Sequence, residues 1–294
     1  MSDCVQNSCI CSLPSFWRLL VGLVWMGLVG SQVQATVLIN DTFSDGERLT
    51  QSEPGSAHWF AAGSNVSTST GGMTFASTSG GVGAMAYFNP VQMQVGESLT
   101  LSFNYSFQQI ANGDNNFMFG LYNSGGSYAT KDGTGFNNSI FNSYTGYAAS
   151  GVFGTDPSGP GRDHIEARNK TGNNLLSIST YTEGQEHIQR GGATPGEIYT
   201  ASMQISRTAT GITVKSTIGS TDILQKYTSD LFTKFDSVGI FANGEAALTV
   251  DGVKLDYSGV PEPSPVLAMA LFGVLVFGKM ARHKILCILP TATV

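Results

Sequence analysis

Between Leu99 and Phe107 every second side chain is apolar: Leu99, Leu101, Phe103, Tyr105 and Phe107 alternate with Thr100, Ser102, Asn104 and Ser106. Successive strand residues point to opposite faces, so this spacing predicts a strand with one buried and one wet face. Phe117, Phe119 and Leu121 repeat the pattern after Asn112-Gly113-Asp114, and the two runs read as an antiparallel pair. Further strands are expected at Val37–Phe43, Met73–Ala76, Ala84–Phe88, His164–Arg168, Leu175–Tyr181, Ile198–Ser206, Ile212–Ile218, Phe235–Ala242 and Ala247–Tyr257. Arg207–Gly211 reads as a hairpin connection. The change of parity at Asp251-Gly252 predicts a bulge that glycine tolerates. One helical turn is expected over Ser229–Phe235. About thirteen short strands with turns every 8–12 residues predict an all-β, antiparallel β-sandwich.

The body from Thr36 to Gly259 carries 11 Lys/Arg against 19 Asp/Glu, a net charge of −8. Such a surface repels phosphate backbones, which argues against nucleic-acid binding. Cys4, Cys9, Cys11 and Cys287 all lie outside that body, so it needs neither a disulfide framework nor a thiolate-held metal.

Both ends carry a different signal. After Arg18, the apolar run Leu19–Val29 is eleven residues long, and Val33-Gln34-Ala35 offers small residues at −3 and −1. This is the pattern of a secretory signal peptide over residues 1–35, implying a Sec translocon and signal peptidase as partners, with cleavage after Ala35. An uncleaved anchor is the competing reading. At the other end, Val260, Pro261, Glu262 and Pro263 precede the uncharged run Val266–Gly278, followed by Lys279, Arg282, His283 and Lys284. Two prolines around Glu262 bar regular helix there. Thirteen apolar residues rise only about 20 Å as a helix, against a hydrocarbon core of about 30 Å. Residues 259–284 resemble the PEP-CTERM sorting signal of Gram-negative bacteria. The resemblance implies an exosortase-like processing enzyme, a transient inner-membrane intermediate with a short C-terminal hydrophobic helix, and delivery to the envelope, cell surface or extracellular matrix. In this chain Val260, Pro261, Glu262, Pro263 and Arg282 match the motif. Residues 285–294 continue as a tail where that family normally ends. The division expected is therefore 1–35, a sandwich domain over 36–258, 259–284, and 285–294.

The strand order of the body, with Phe117–Tyr122, the Ile205–Gly211 hairpin and Leu248–Val253 as its best local points, resembles the concanavalin A-like jelly roll of lectins, laminarinases and pentraxins. That resemblance implies a structural Ca²⁺, for which Asn40, Asp41 and Asp251 supply hard oxygen ligands on terminal strands that lie side by side in the fold. The same three residues read equally as turn residues. Sugar binding requires flat aromatic rings beside amide and carboxylate groups, and Tyr128, Asn137, Tyr144 and Tyr147 in the irregular stretch 123–161 offer them. The alternative is a glycine-rich loop pinned by its own aromatics.

Catalytic patterns are weak. No Glu-x-Asp-x-x-Glu run or Gly-x-Ser-x-Gly elbow occurs. Glu183-Gly-Gln-Glu186 reads as a solvated turn. Asp163–Arg168 reads as a strand with His164, Glu166 and Arg168 on one wet face of self-paired charges. His58 is expected to be half-buried and structural, and His187 stands alone in the sequence. The leading reading is a noncatalytic exported envelope or matrix protein with a structural or adhesive role. A carbohydrate-binding lectin-like module, with exopolysaccharide as partner, is the alternative. A divergent glycosidase or polysaccharide lyase is the third.

Overall fold

Two antiparallel sheets lie face to face in the computed structural model. It describes residues 35–259 apart from 50–51, 63–64, 77–80, 111–115, 153–161, 176–177, 190–192, 230 and 243–246. The sorting residues Val260, Pro261, Glu262, Pro263 and Arg282, the apolar runs at both ends and all four cysteines fall outside that range. Among the described residues no helix is long and apolar enough to cross a membrane.

The described strands are β1 (Thr36–Asp41), β2 (Trp59–Ala61), β3 (Val66–Ser69), β4 (Gly72–Ala76), β5 (Val82–Gln92), β6 (Ser98–Gln109), β7 (Asn116–Asn123), β8 (Thr145–Val152), β9 (Arg162–Arg168), β10 (Tyr181–Gln189), β11 (Ile198–Thr208), β12 (Gly211–Ile218), β13 (Thr221–Tyr227), β14 (Lys234–Ala242) and β15 (Ala247–Ser258). The eight-stranded sheet runs β13-β12-β11-β6-β15-β4-β3, with β1 also on β15. The seven-stranded sheet runs β10-β9-β8-β7-β14-β5-β2. The expected sandwich is what forms. β15 pairs first with β4 and then with β1 along the same edge. Between the two partners its register shifts after Asp251, and Gly252 sits at φ +63°, the expected bulge.

β6 buries Leu99, Leu101, Phe103, Tyr105 and Phe107, each at most 3% exposed. Its expected partner is not its neighbour, however: β7 belongs to the other sheet. Phe103 meets Phe119 edge-on at 5.1 Å and Phe117 at 5.9 Å, and Tyr105 lies 4.9 Å from Phe117. The two alternating runs therefore face each other across the core. Alternation tells which face of a strand is buried, and that holds for lateral pairing and for opposition alike. Two other expectations also fail. Over Ser229–Phe235 the described residues are bend and coil as far as Thr233, and Lys234 and Phe235 already belong to β14; over Leu175–Tyr181 the described residues form a turn at Leu175, a 3₁₀ turn at Ile178–Thr180 and the start of β10 at Tyr181.

The outer face of the seven-stranded sheet is covered as well. Loops 124–144 and 169–180 lie over it and close a second apolar layer of Met85, Met118, Tyr122, Phe136, Phe141, Tyr144, Ala148, Leu175, Tyr181 and Phe241. β5 and β14 are thus buried on both faces over Val82–Ala86 and Phe235–Ala242, as their near-continuous apolar sequences require. Glycines make room on this face. A Cβ on Gly239 would meet Phe241 Cζ at 2.4 Å, and one on Gly120 would meet the Tyr122 hydroxyl at 2.6 Å. Gly239 and Gly120 are paired across β14 and β7, so together they form a flat floor under the rings.

Arg168 fixes both loops. It is fully buried, and its guanidinium donates to Tyr144 O (3.1 Å), Phe141 O (2.9 Å), Gly172 O (2.5 Å), Asn174 O (3.1 Å) and the Thr180 hydroxyl. Its charge also lies 5.4 Å from the centre of the Tyr181 ring. The loops are further joined to each other by Asn138 N–H to Asn173 O (2.8 Å) and Leu175 N–H to Phe136 O (3.2 Å).

Candidate functional site

The covering layer stops short of the β2 edge. Residues 57–61 alternate Ala57, Trp59 and Ala61 inward with His58 and Phe60 outward, and the outward pair is half-buried. Phe60 pairs with Met85 of β5, so the outward Tyr87 of that strand comes beside it. A continuous line of part-exposed rings results. His58 stacks on Phe60 at 4.1 Å, Phe60 lies 5.8 Å from Tyr87, and Tyr87 meets Tyr128 edge-on at 4.9 Å. Tyr128, from the covering loop, is 41% exposed.

Polar groups frame this line at both ends. Arg48 holds Asp132 with two parallel bonds (Nη1–Oδ1 2.9 Å, Nη2–Oδ2 2.6 Å) and also donates to Trp59 O at 2.9 Å. Asp132 Oδ1 accepts from Ala61 N–H (2.9 Å), and Gly133 N–H donates to Ala61 O (3.0 Å), which lays the loop along the open edge of β2. The Arg48 guanidinium holds the Asp132 carboxyl below the usual carboxylate range. Burial lowers the His58 imidazole, opposed in part by Asp132. At the other end Asp236 is buried and accepts from Ser124 N–H and Oγ (both 2.7 Å) and from the Tyr128 hydroxyl (3.5 Å). The Tyr87 hydroxyl accepts from Ala129 N–H (2.8 Å) and lies 2.9 Å from that of Tyr144, which donates to Ser127 O (2.6 Å). Burial raises the pKa of both phenols, so neither ionises near neutrality. A row of rings with neutral hydroxyls and a paired charge at its rim can stack on an apolar face of a ligand and hydrogen-bond its edge.

The residues expected from sequence divide. Tyr128 belongs to this line. Asn137 is exposed and forms an isolated bridge with Asn174. Tyr144, 1% exposed, supports Tyr87 from beneath and is closed to a ligand. Tyr147 is on the opposite side of β8, fully buried among Tyr227, Phe232 and Phe235, with its hydroxyl accepting from Phe232 N–H. Loop composition offered no way to separate the covered tyrosines from the open one. Phe60, Tyr87, Arg48 and Asp132 were missed, although the alternation through Ala57–Ala61 shows that His58 and Phe60 share an outward face.

For calcium, β1 does lie beside β15, but the three residues do not converge. Adjacent residues Asn40 and Asp41 point to opposite faces. Asp41 is buried, with Oδ1 accepting from Phe43 N–H (2.9 Å) and Oδ2 from Ala57 N–H (3.1 Å) and the Trp59 indole (3.0 Å). Asp251 pairs with Asn104 on β6, away from Asp41, which pairs with Val253. The donor set does not fit a calcium site. Among the described residues no group of three His, Cys, Asp or Glu side chains gathers.

The face bearing His164, Glu166 and Arg168 is not the wet one expected. Glu166 is 2% exposed and Arg168 is fully buried, because the 169–180 loop needs its carbonyls paired. With its donors committed to the loops, Arg168 cannot polarise a substrate, and a polysaccharide has no access to Glu166. Glu183 and Glu186 are not in a turn: both lie in β10, where the register shifts between Glu183 and His187.

No protein-family profile matches the chain, and no curated protein sequence matches it. Solved structures with a similar arrangement include the carbohydrate recognition domain of Emp46p in its potassium-bound form (11% identity, 69% of this chain and 89% of that one, TM-score 0.48). Basic winged bean lectin with Tn-antigen is similar at 13% identity over 79% of this chain and all of that one (TM-score 0.46). Lectin I-B4 from Griffonia simplicifolia in its metal-free form is similar at 16% identity over 68% and 93% (TM-score 0.39).

Proposed function

We propose that this chain is a noncatalytic glycan-binding module of a concanavalin A-like jelly roll, exported and held at the cell envelope or matrix, where glycan binding supplies adhesion. The observation that carries the reading is the line His58–Phe60–Tyr87–Tyr128, part-exposed at the β2 edge beside the covering layer and bounded by Arg48 and Asp132. Sugars present an apolar C–H face that stacks on such rings and a hydroxyl edge that suits the carboxylate–guanidinium rim. The paired charges and the acidic body favour neutral over anionic glycans. Export rests on Val33-Gln34-Ala35 and on the PEP-CTERM-like segment from Val260.

The test uses protein recovered after export, whose first residue should be Thr36. On an array of neutral and anionic glycans it should bind neutral oligosaccharides, with or without Ca²⁺. Tyr128→Ala and Phe60→Ala should each weaken binding about tenfold or more, the loss of roughly 1.4 kcal/mol or more of contact. An array without signal, or binding that both variants leave unchanged, refutes the assignment.

A further inference from the structure

The ring planes turn along the row at the β2 edge. His58 and Phe60, two residues apart and both outward, stack nearly parallel at 14° and 4.1 Å. Each therefore covers one face of the other, and the pair acts as one platform. Tyr87 is tilted by 52° from Phe60, and Tyr128 stands at 80° to Tyr87. The steps from Phe60 to Tyr87 and from Tyr87 to Tyr128 are 5.8 and 4.9 Å between ring centres, each close to the width of one sugar ring. A crystalline polysaccharide presents many chains in one plane, so it rests only on rings that share a plane. No two successive platforms here do. A single chain rotates about its glycosidic bonds and can offer a differently turned sugar to each.

Hydrogen-bonding capacity is graded along the row as well. The Tyr87 hydroxyl is spent within the protein, on Ala129 N–H and the Tyr144 hydroxyl, so the middle platform offers apolar contact alone. Polar groups stand at the two ends. One is the Asp132 carboxylate, 38% exposed beside Arg48. The other is the hydroxyl of the exposed Tyr128, whose bond to Asp236 is long at 3.5 Å. A ligand held this way is gripped by its apolar faces throughout and read by its hydroxyls at the ends, which a lone sugar cannot satisfy. This deepens the glycan reading of the site and rests on it: we propose that the row takes three consecutive units of a single neutral polysaccharide chain, one for each platform, and neither a lone sugar nor a crystalline surface.

The experiment is titration calorimetry of the full-length protein with cello-, chito-, manno-, xylo- and galacto-oligosaccharides of one to five units, beside a pull-down on crystalline cellulose and chitin. In the series that binds, affinity should rise about three- to tenfold with each unit up to the third and then level off. Neither crystalline polymer should retain the protein. Tyr128→Ala removes the exposed ring at one end of the row and leaves the core intact. It should lower affinity for three units and longer by about tenfold, leave that for two units unchanged, and bring the plateau one unit earlier. Affinity that is level from one unit to five, a plateau that Tyr128→Ala does not move, or retention on a crystalline polymer overturns the single-chain assignment while glycan binding itself stands. No binding to any of the series refutes the glycan reading and this inference together.

Discussion

Arg168→Met tests whether the covering layer is held by one side chain. The substitution keeps much of the apolar stem and removes the guanidinium. Four carbonyls and one hydroxyl then lose a charged donor: Tyr144 O, Phe141 O, Gly172 O, Asn174 O and the Thr180 hydroxyl. A buried acceptor left unsatisfied costs about 1–3 kcal/mol. Against this, the variant no longer buries a cation, which returns several kcal/mol. The net loss is on the order of 3–5 kcal/mol, as for breaking other buried charged networks. For a domain of this size each kcal/mol moves the thermal midpoint by about 2–4 °C, so a fall on the order of 10 °C is expected. The loss should also be local first. Loops 124–144 and 169–180 rest on the sheet through this residue, whereas the inter-sheet core does not touch it, so limited proteolysis should cut the loops before the sandwich melts. Arg168→Lys offers three donors in place of five and should fall between. A midpoint within about 2 °C of the parent, with loops equally resistant to protease, would refute the argument.

Gly239→Ala should destabilise by about 1–3 kcal/mol or more, because its Cβ would collide with Phe241 and the Met85 sulfur; Gly126→Ala, at φ +86° with open space around it, should cost less, and equal midpoints for the two would contradict the floor described for this face. Stability should also fall in two steps on acidification. The lowered pKa of His58 makes its contribution full above 6.5 and lost as pH falls through the folded value. Asp132 behaves alike from 3.8 downward, because Arg48 depresses its carboxyl. Midpoints of His58→Gln and Asp132→Asn, measured from pH 3 to 8, should each lack the corresponding step.

The sandwich was legible because alternation is a direct print of burial. β6 and β15, including the Gly252 bulge, follow from single-strand pattern. What alternation cannot encode is the partner of a face. Phe103 and Phe119 carry the same period-2 signal whether their strands lie side by side or oppose each other, and only the remainder of the chain decides. The second layer left a fainter trace. Val82-Gly-Ala-Met-Ala and Val238-Gly-Ile-Phe-Ala lack the polar alternate positions of β6, which requires something to cover the far face of those strands. A buried charge reads in sequence like an exposed one, so Arg168 and Glu166 appeared as surface residues.

The same limit governs the candidate site. Tyr144 and Tyr147 are three residues apart, yet they lie on opposite sides of the seven-stranded sheet, and neither is open to a ligand. The open rings at β2 come from three distant stretches: His58 and Phe60, Tyr87, and Tyr128. They share a surface because β2 pairs with β5 and Asp132 and Gly133 hold the 124–144 loop to Ala61 of β2. Local composition sufficed for the fold because each strand buries its own face. Sites arise where strand order brings separate faces together, as Phe60 and Tyr87 become neighbours only through the pairing of β2 with β5.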